Sequence, residues 1–124
     1  MGIAALWVVQ VLLAAAFVVS GATKLSQPKE KLLKNWAWVE DFSQQTVRII
    51  GVLEVLGAIG IVVPELTGIV PSLTPLAALG LVLTMIGAAL THLRRAEYGG
   101  IAVAAVLLIL AAFVAYGRFF VVPA

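Results

Sequence analysis

The sequence has no cysteine and one histidine. Without cysteine there is no disulfide, no thiolate nucleophile and no cysteine-ligated metal. The lone His92 has no ligand cluster around it in the sequence, so neither a metal site nor a covalently held cofactor is expected. Charge is scarce as well. Only 11% of residues are charged, 63% are hydrophobic, and the mean hydropathy is +1.14. A soluble domain of 124 residues could not cover such a core with so little polar surface, which places the chain in the membrane class. The net charge of +2 is too small and too segregated to argue for nucleic acid.

What is present is four long apolar runs. A helical span needs about 20 such residues, and the runs do not alternate as barrel strands do. They predict an all-α, integral membrane four-helix bundle forming a single domain over 1–124, with spans at about 2–25, 46–63, 75–93 and 99–117. No basic residue precedes the first run, so an uncleaved helix is expected rather than a secretory leader. On that helix Gln10, Leu13, Phe17, Ser20 and Lys24 share one face, which is expected to point into the bundle.

The long polar stretch lies between spans one and two. Pro28 suits the first turn of a helix, and Leu32, Leu33, Trp36 and Val39 then fall on one side. The pattern predicts a short amphipathic helix at about 28–41, lying in the interface with Trp36 and Trp38 at the headgroups. Thr74 is expected to cap span three, with Pro75 at its first position. In span three, Gly80, Thr84, Gly87 and Thr91 form a small-residue stripe. In span four, Ala102, Ala105, Ile109, Ala112 and Tyr116 do the same. Both read as helix-packing faces and as surfaces for a homo-oligomer.

Seven basic residues, Lys24, Lys29, Lys31, Lys34, Arg48, Arg94 and Arg95, fall at one side of the spans; Arg118 alone falls at the other. The positive-inside rule therefore puts both basic loops in the cytoplasm and both termini outside.

One acid lies inside a span. Glu54 is eight residues into the second run, about 12 Å deep at 1.5 Å per residue, where an ionised group costs about 3 kcal/mol or more unless paired or hydrated. Ser20, Thr84 and Thr91 are candidate hydrogen-bond neighbours, and Lys24 and His92 are candidate charge and proton partners at the mouth of a pocket on the basic side. Three readings stay open. Glu54 can fix helix register as a structural group. Alternatively, Glu54 and His92 flank a cavity for the polar head of a lipophilic molecule such as a quinone, since carboxyl and imidazole groups can both be tuned toward neutral pH. In the third reading, Glu54 exchanges a proton for a hydrophobic cation. No autonomous catalytic centre is identified.

The segments Ser20-Gly21-Ala22-Thr23-Lys24-Leu25, Gly51-Val52-Leu53-Glu54-Val55-Leu56-Gly57 and Thr91-His92-Leu93-Arg94-Arg95 together resemble the motifs of DoxX and DoxX-like membrane proteins. The resemblance implies a four-helix fold in a bacterial cytoplasmic (inner) membrane. It also implies a link to respiratory chemistry, as a small quinone- or lipid-binding subunit beside a membrane or peripheral oxidoreductase partner, or as an assembly factor. Any redox centre would then be supplied from outside the chain. Small multidrug transporters also have four spans and one membrane glutamate, but in the first span, where this chain has Gln10.

Overall fold

The computed structural model describes residues 2–121; Met1 and residues 122–124 of the expected domain lie outside the described residues. The described chain is helical, and four of its helical segments are long and apolar enough to cross a membrane. Helix α1 spans Ile3–Ser26 and ends where Pro28 forces the preceding Gln27 to extended backbone.

The polar stretch then differs from the expected single interfacial helix. It forms one α turn, α2 at Lys29–Leu32, and a separate 3₁₀ turn at Ala37–Asp41. The break at Trp36, which has extended backbone, lets Leu32 and Val39 both bury against Val47. A continuous helix over these residues would have carried the tryptophans past the bundle instead of over it.

Helix α3 covers Gln44–Gly60, and Ser43 caps it by accepting from the Thr46 N–H at 3.1 Å. A short helix α4 follows at Val63–Thr67, closed by Gly68 at φ 72°, the left-handed position that glycine adopts without a Cβ penalty. Helix α5 runs Leu73–Arg94 and α6 runs Tyr98–Tyr116, continued by a wide turn at Gly117–Val121. Thr74 is not the cap of α5. It lies inside the first turn, fully buried, and its hydroxyl has no hydrogen-bond partner among the described residues.

The bundle is two intimate pairs, α1 with α3 and α5 with α6, joined by sparser contacts. Glycines set the α1–α3 approach. A Cβ on Gly21 would stand 2.6 Å from the Gly51 carbonyl oxygen, and one on Gly51 would stand 2.9 Å from that of Gly21. The opposite flank of α3 uses Gly57 against Leu81 and Gly60 against Ala77. The core between the pairs is Leu13, Phe17, Ala58, Ile61, Ala78, Leu81, Met85 and Ala111.

The small faces of α5 and α6 do not fall where the pattern put them. Gly80 and Gly87 have open space at their Cβ positions, while Ala78, Leu81 and Met85 turn inward. On α6 the buried residues are Ala104, Ala111, Val114 and Ala115, and Ile109 and Tyr116 are exposed. The reason is physical. Neither helix has a charged side chain in its middle, and the Thr84 and Thr91 hydroxyls of α5 bond their own backbone, so nothing polar marks the side that turns inward.

Candidate functional site

Ser20 and Lys24 are one turn apart on α1 and therefore stack on one face. Gly21 and Gly51 let α3 come close enough for Glu54 to meet them. Lys24 Nζ donates to Glu54 Oε1 at 2.6 Å and to Ser20 Oγ at 2.6 Å. Ser20 Oγ in turn donates toward the two carboxylate oxygens at 3.2 and 3.3 Å. Lys24 is 5% exposed and Glu54 3%, so both charges have left water and answer each other. Such a pair offsets its desolvation only when geometry and extra hydrogen bonds are good, and here the serine supplies the extra bonds.

The remaining face of the ammonium is covered by aromatic rings. Lys24 Nζ lies 4.8 Å from the centre of the Trp36 ring and 5.6 Å from that of Trp38. At this range the negative ring faces attract the cation. The two indoles stack on each other with centroids 6.2 Å apart. Read from the sequence alone, these tryptophans are headgroup anchors only. Their spacing of two with an intervening small Ala37 is compatible with a folded-over turn, but nothing local says that a lysine lies beneath.

A cleft of about 820 Å³ opens beside this cluster. Its polar end holds Ser20, Lys24, Glu54 and the two tryptophans; its apolar walls include Leu83, Met85, Val103 and Leu107. Thr84, Thr91 and His92 also line it, yet none of them bonds to Glu54. Thr84 Oγ1 donates to the Gly80 carbonyl and Thr91 Oγ1 to the Gly87 carbonyl, each at 2.9 Å within α5. His92 turns to the α5–α6 link, with Nδ1 2.9 Å from Glu97 Oε1 and its ring edge-on to Trp38. Gly100 leaves room for that ring, because a Cβ there would overlap His92.

The rim of the cleft is a charged clasp that sequence reasoning missed. Arg95 reaches Asp41 on the 3₁₀ turn at 3.0 Å and Glu97 at 3.1 Å. It thus ties the tryptophan segment to the link between α5 and α6. The hydrogen bond to Asp41 first, and then that to Glu97, raises the Arg95 pKa above its ordinary value. The Glu97 carboxyl is held below the usual range, chiefly by its hydrogen bond with His92 and further by Arg95, against an opposing effect of burial.

At the far end lies a second buried polar group. Gln10 Nε2 donates to the Ile61 carbonyl at 2.6 Å, and Arg118 Nε donates to Gln10 Oε1 at 2.9 Å. Arg118 also stands 3.8 Å from Glu65 and over the Trp7 ring at 5.3 Å. Along the inward face of α1, only Leu13 and Phe17 lie between Gln10 and Ser20, and each is 1% exposed. Ten residues of helix make that separation about 15 Å.

A profile of the DoxX-like family matches residues 8–114, which takes in Ser20, Lys24, Glu54, His92 and every helix but the ends of the chain. The chain belongs to the DoxX-like family. No curated protein and no solved structure matches it. The match includes Gln10 but ends before Arg118, so the basic-end cluster of this DoxX-like chain lies wholly within the family region and the far-end cluster only in part. Among the described residues there is no grouping of His, Asp and Glu able to hold a metal ion.

Proposed function

We propose that this DoxX-like membrane protein holds the uncharged, hydrogen-bonding head of a lipophilic molecule, of the quinone class, in the cleft beside Lys24 and Glu54. The single observation behind this reading is the cleft itself. It joins a paired ammonium and carboxylate under two indole rings to apolar walls on α5 and α6. A quinone carbonyl would accept the Lys24 hydrogen not taken by Glu54 or Ser20, a quinol hydroxyl would donate to Glu54, and the flat indoles would cover the ring. Leu83, Met85, Val103 and Leu107 would receive the first part of the tail. In this reading the chain positions the quinone as an accessory subunit of a bacterial inner-membrane oxidoreductase system. Electron transfer belongs to the partner. The basic end faces the cytoplasm, following the distribution of lysine and arginine.

The apolar layer at Leu13 and Phe17 separates this cleft from the polar group at the far end, which speaks against proton-coupled transport of a cation. A second reading is favoured by the Gly21–Gly51 approach: the Lys24–Ser20–Glu54 triad pins the register of α1 on α3 and binds nothing.

Titration of the purified protein with a short-tailed ubiquinone, followed by quenching of tryptophan fluorescence, separates the two. Saturable quenching that weakens in Glu54→Gln supports the ligand site. Quenching that is absent, or identical in Glu54→Gln at unchanged fold, removes it and leaves the register pin.

A further inference from the structure

Twelve of the fourteen acidic and basic residues belong to the basic half of the bundle; only Glu65 and Arg118 belong to the far end. Those two face each other inside the protein, with side chains 10% and 2% exposed. The surface of the far end is therefore uncharged among the described residues. It displays Leu66, Ile69 and Val70 on α4 and the turn after it, Leu73 at the start of α5, and Phe120 on the last turn, each 46–73% exposed.

The depth of this surface can be read from the helices. Helix α3 has 17 residues, about 26 Å, which is short of a hydrocarbon core of about 30 Å. Its exposed Arg48 marks the headgroup side, so the part beyond it, up to Gly60, covers still less. The Gln10–Ile61 hydrogen bond gives an independent register. Ile61, just past the end of α3, is level with a residue seven positions inside α1, about 10 Å from where α1 begins. Helix α3 thus stops inside the apolar layer, and α4 with its turn fills what remains.

The bonding of that segment suits the boundary between the acyl chains and the far headgroups. Backbone outside a helix does not face acyl chains with open polar groups; these must be bonded within the protein or reach water. Here the N–H groups of Leu66, Gly68, Leu73 and Thr74 donate to the carbonyls of Val62, Pro64, Val70 and Pro71. The Ile69 N–H donates to Thr67 Oγ1, while the N–H groups of Val70 and Ser72 have no partner among the described residues and need the water of the headgroup layer. Pro64 and Pro71 have no N–H to satisfy. The exposed side chains of the segment continue the lipid-facing row of Leu56, Ile59 and Val63 on the preceding turns.

We infer that α4 and the turn at 66–73 form a cap at the boundary of the far leaflet, whose Leu66, Ile69, Val70 and Leu73 side chains dip into the acyl chains while it shields the Arg118–Glu65 pair beneath. The inference is independent of what the cleft binds.

The absence of native cysteine allows a direct test. Ile69→Cys and, as control on the exposed polar stretch, Lys31→Cys are each labelled with an environment-sensitive fluorophore and reconstituted in phosphatidylcholine–phosphatidylglycerol liposomes. With iodide on both sides and, separately, with spin-labelled lipids, the label at position 69 is expected to lose iodide quenching and to be quenched by lipid. The label at 31 is expected to do the reverse. A label at 69 that iodide quenches as strongly as the one at 31 overturns the cap. So does protection that appears only in native membranes and not in pure lipid, because a protein would then be the occupant. Leu66→Cys repeats the measurement if Ile69→Cys does not fold.

Discussion

Lys24 and Glu54 meet at 2.6 Å between α1 and α3, whereas Arg118 and Glu65 stand 3.8 Å apart at the other end of the bundle. In the first pair the ammonium gives one hydrogen to Ser20 and one to the carboxylate, and its remaining side lies against two indole faces. The second leaves Arg118 Nη2 and Glu65 Oε1 without partners among the described residues. The first borders a large cleft, while the second is enclosed by Trp7, Gln10 and the last turn of the chain. Burial alone therefore does not distinguish a site from a plug. Access to a cavity does, and on that ground the basic end is the place to look for a ligand.

The largest effect should come from unpairing the tight couple. Glu54→Ala leaves the Lys24 ammonium buried and unanswered, and such breaks cost about 3–5 kcal/mol. Its melting temperature in detergent should fall well below that of the parent. Pairing it with Lys24→Met removes the stranded charge and should recover most of the loss. If the double variant melts no higher than the single one, the ion pair is not what holds α1 on α3.

The loose couple should respond less. Arg118→Met deletes one hydrogen bond to Gln10 and a 3.8 Å attraction, a loss of about 1–3 kcal/mol from the groups left unsatisfied. Quinone-induced quenching of tryptophan fluorescence should be unchanged, because Arg118 does not line the cleft. A drop in stability as large as that of Glu54→Ala would erase the contrast between the ends.

The glycines sharpen the comparison further. Gly21→Ala pushes a methyl into the Gly51 carbonyl oxygen and Val55. Backbone cannot move aside as a flexible side chain can, so a loss of about 1–3 kcal/mol is expected. Gly80→Ala meets nothing within 4 Å, and the gain in helix propensity, up to about 1 kcal/mol, should leave it neutral or stabilising. Thermal melts of the two variants side by side test whether close approach is concentrated at the α1–α3 crossing.

Much of this architecture was legible in the residues, for identifiable reasons. The stripe Gln10, Leu13, Phe17, Ser20 and Lys24 stood out because polar atoms on an apolar helix mark the side that must turn inward. Glu54 stood out because its desolvation needs an answer. The inward faces of α5 and α6 were not legible, since Ala102 and Ala104 look alike to a reader of composition. The ring cover over Lys24 was hidden because it depends on a break at Trp36 that returns the chain across the helix ends. The Arg118–Gln10 bond joins residues 108 positions apart, and no local pattern reports such a pairing. His92 was read toward Glu54, but a carboxylate five residues away on the link, Glu97, competed for it and won.

The smallest effect concerns that link, and its sign follows from the shifts. Glu97 is held below the usual carboxylate range by His92 first and by Arg95. A carboxylate depressed in the folded state adds stability that is complete above its unfolded value and is lost as pH falls through the folded one. Arg95 is shifted upward, so its contribution is complete at every pH below its ordinary value and does not vary across the acid range. Acidification from neutral pH should therefore loosen the clasp only below the ordinary carboxylate range, and Glu97→Gln should shrink that acid step, leaving the Arg95–Asp41 pair. Because the clasp ties the tryptophan segment to the α5–α6 link, acrylamide quenching of Trp36 and Trp38 at several pH values is the measurement to make. In the parent, quenching should rise at acid pH. In Glu97→Gln it should be higher at neutral pH and flatter toward acid. If the parent and the variant trace the same curve, the 3₁₀ turn is held by Trp38, Phe42 and Val39 packing, and the charges at the rim only decorate it.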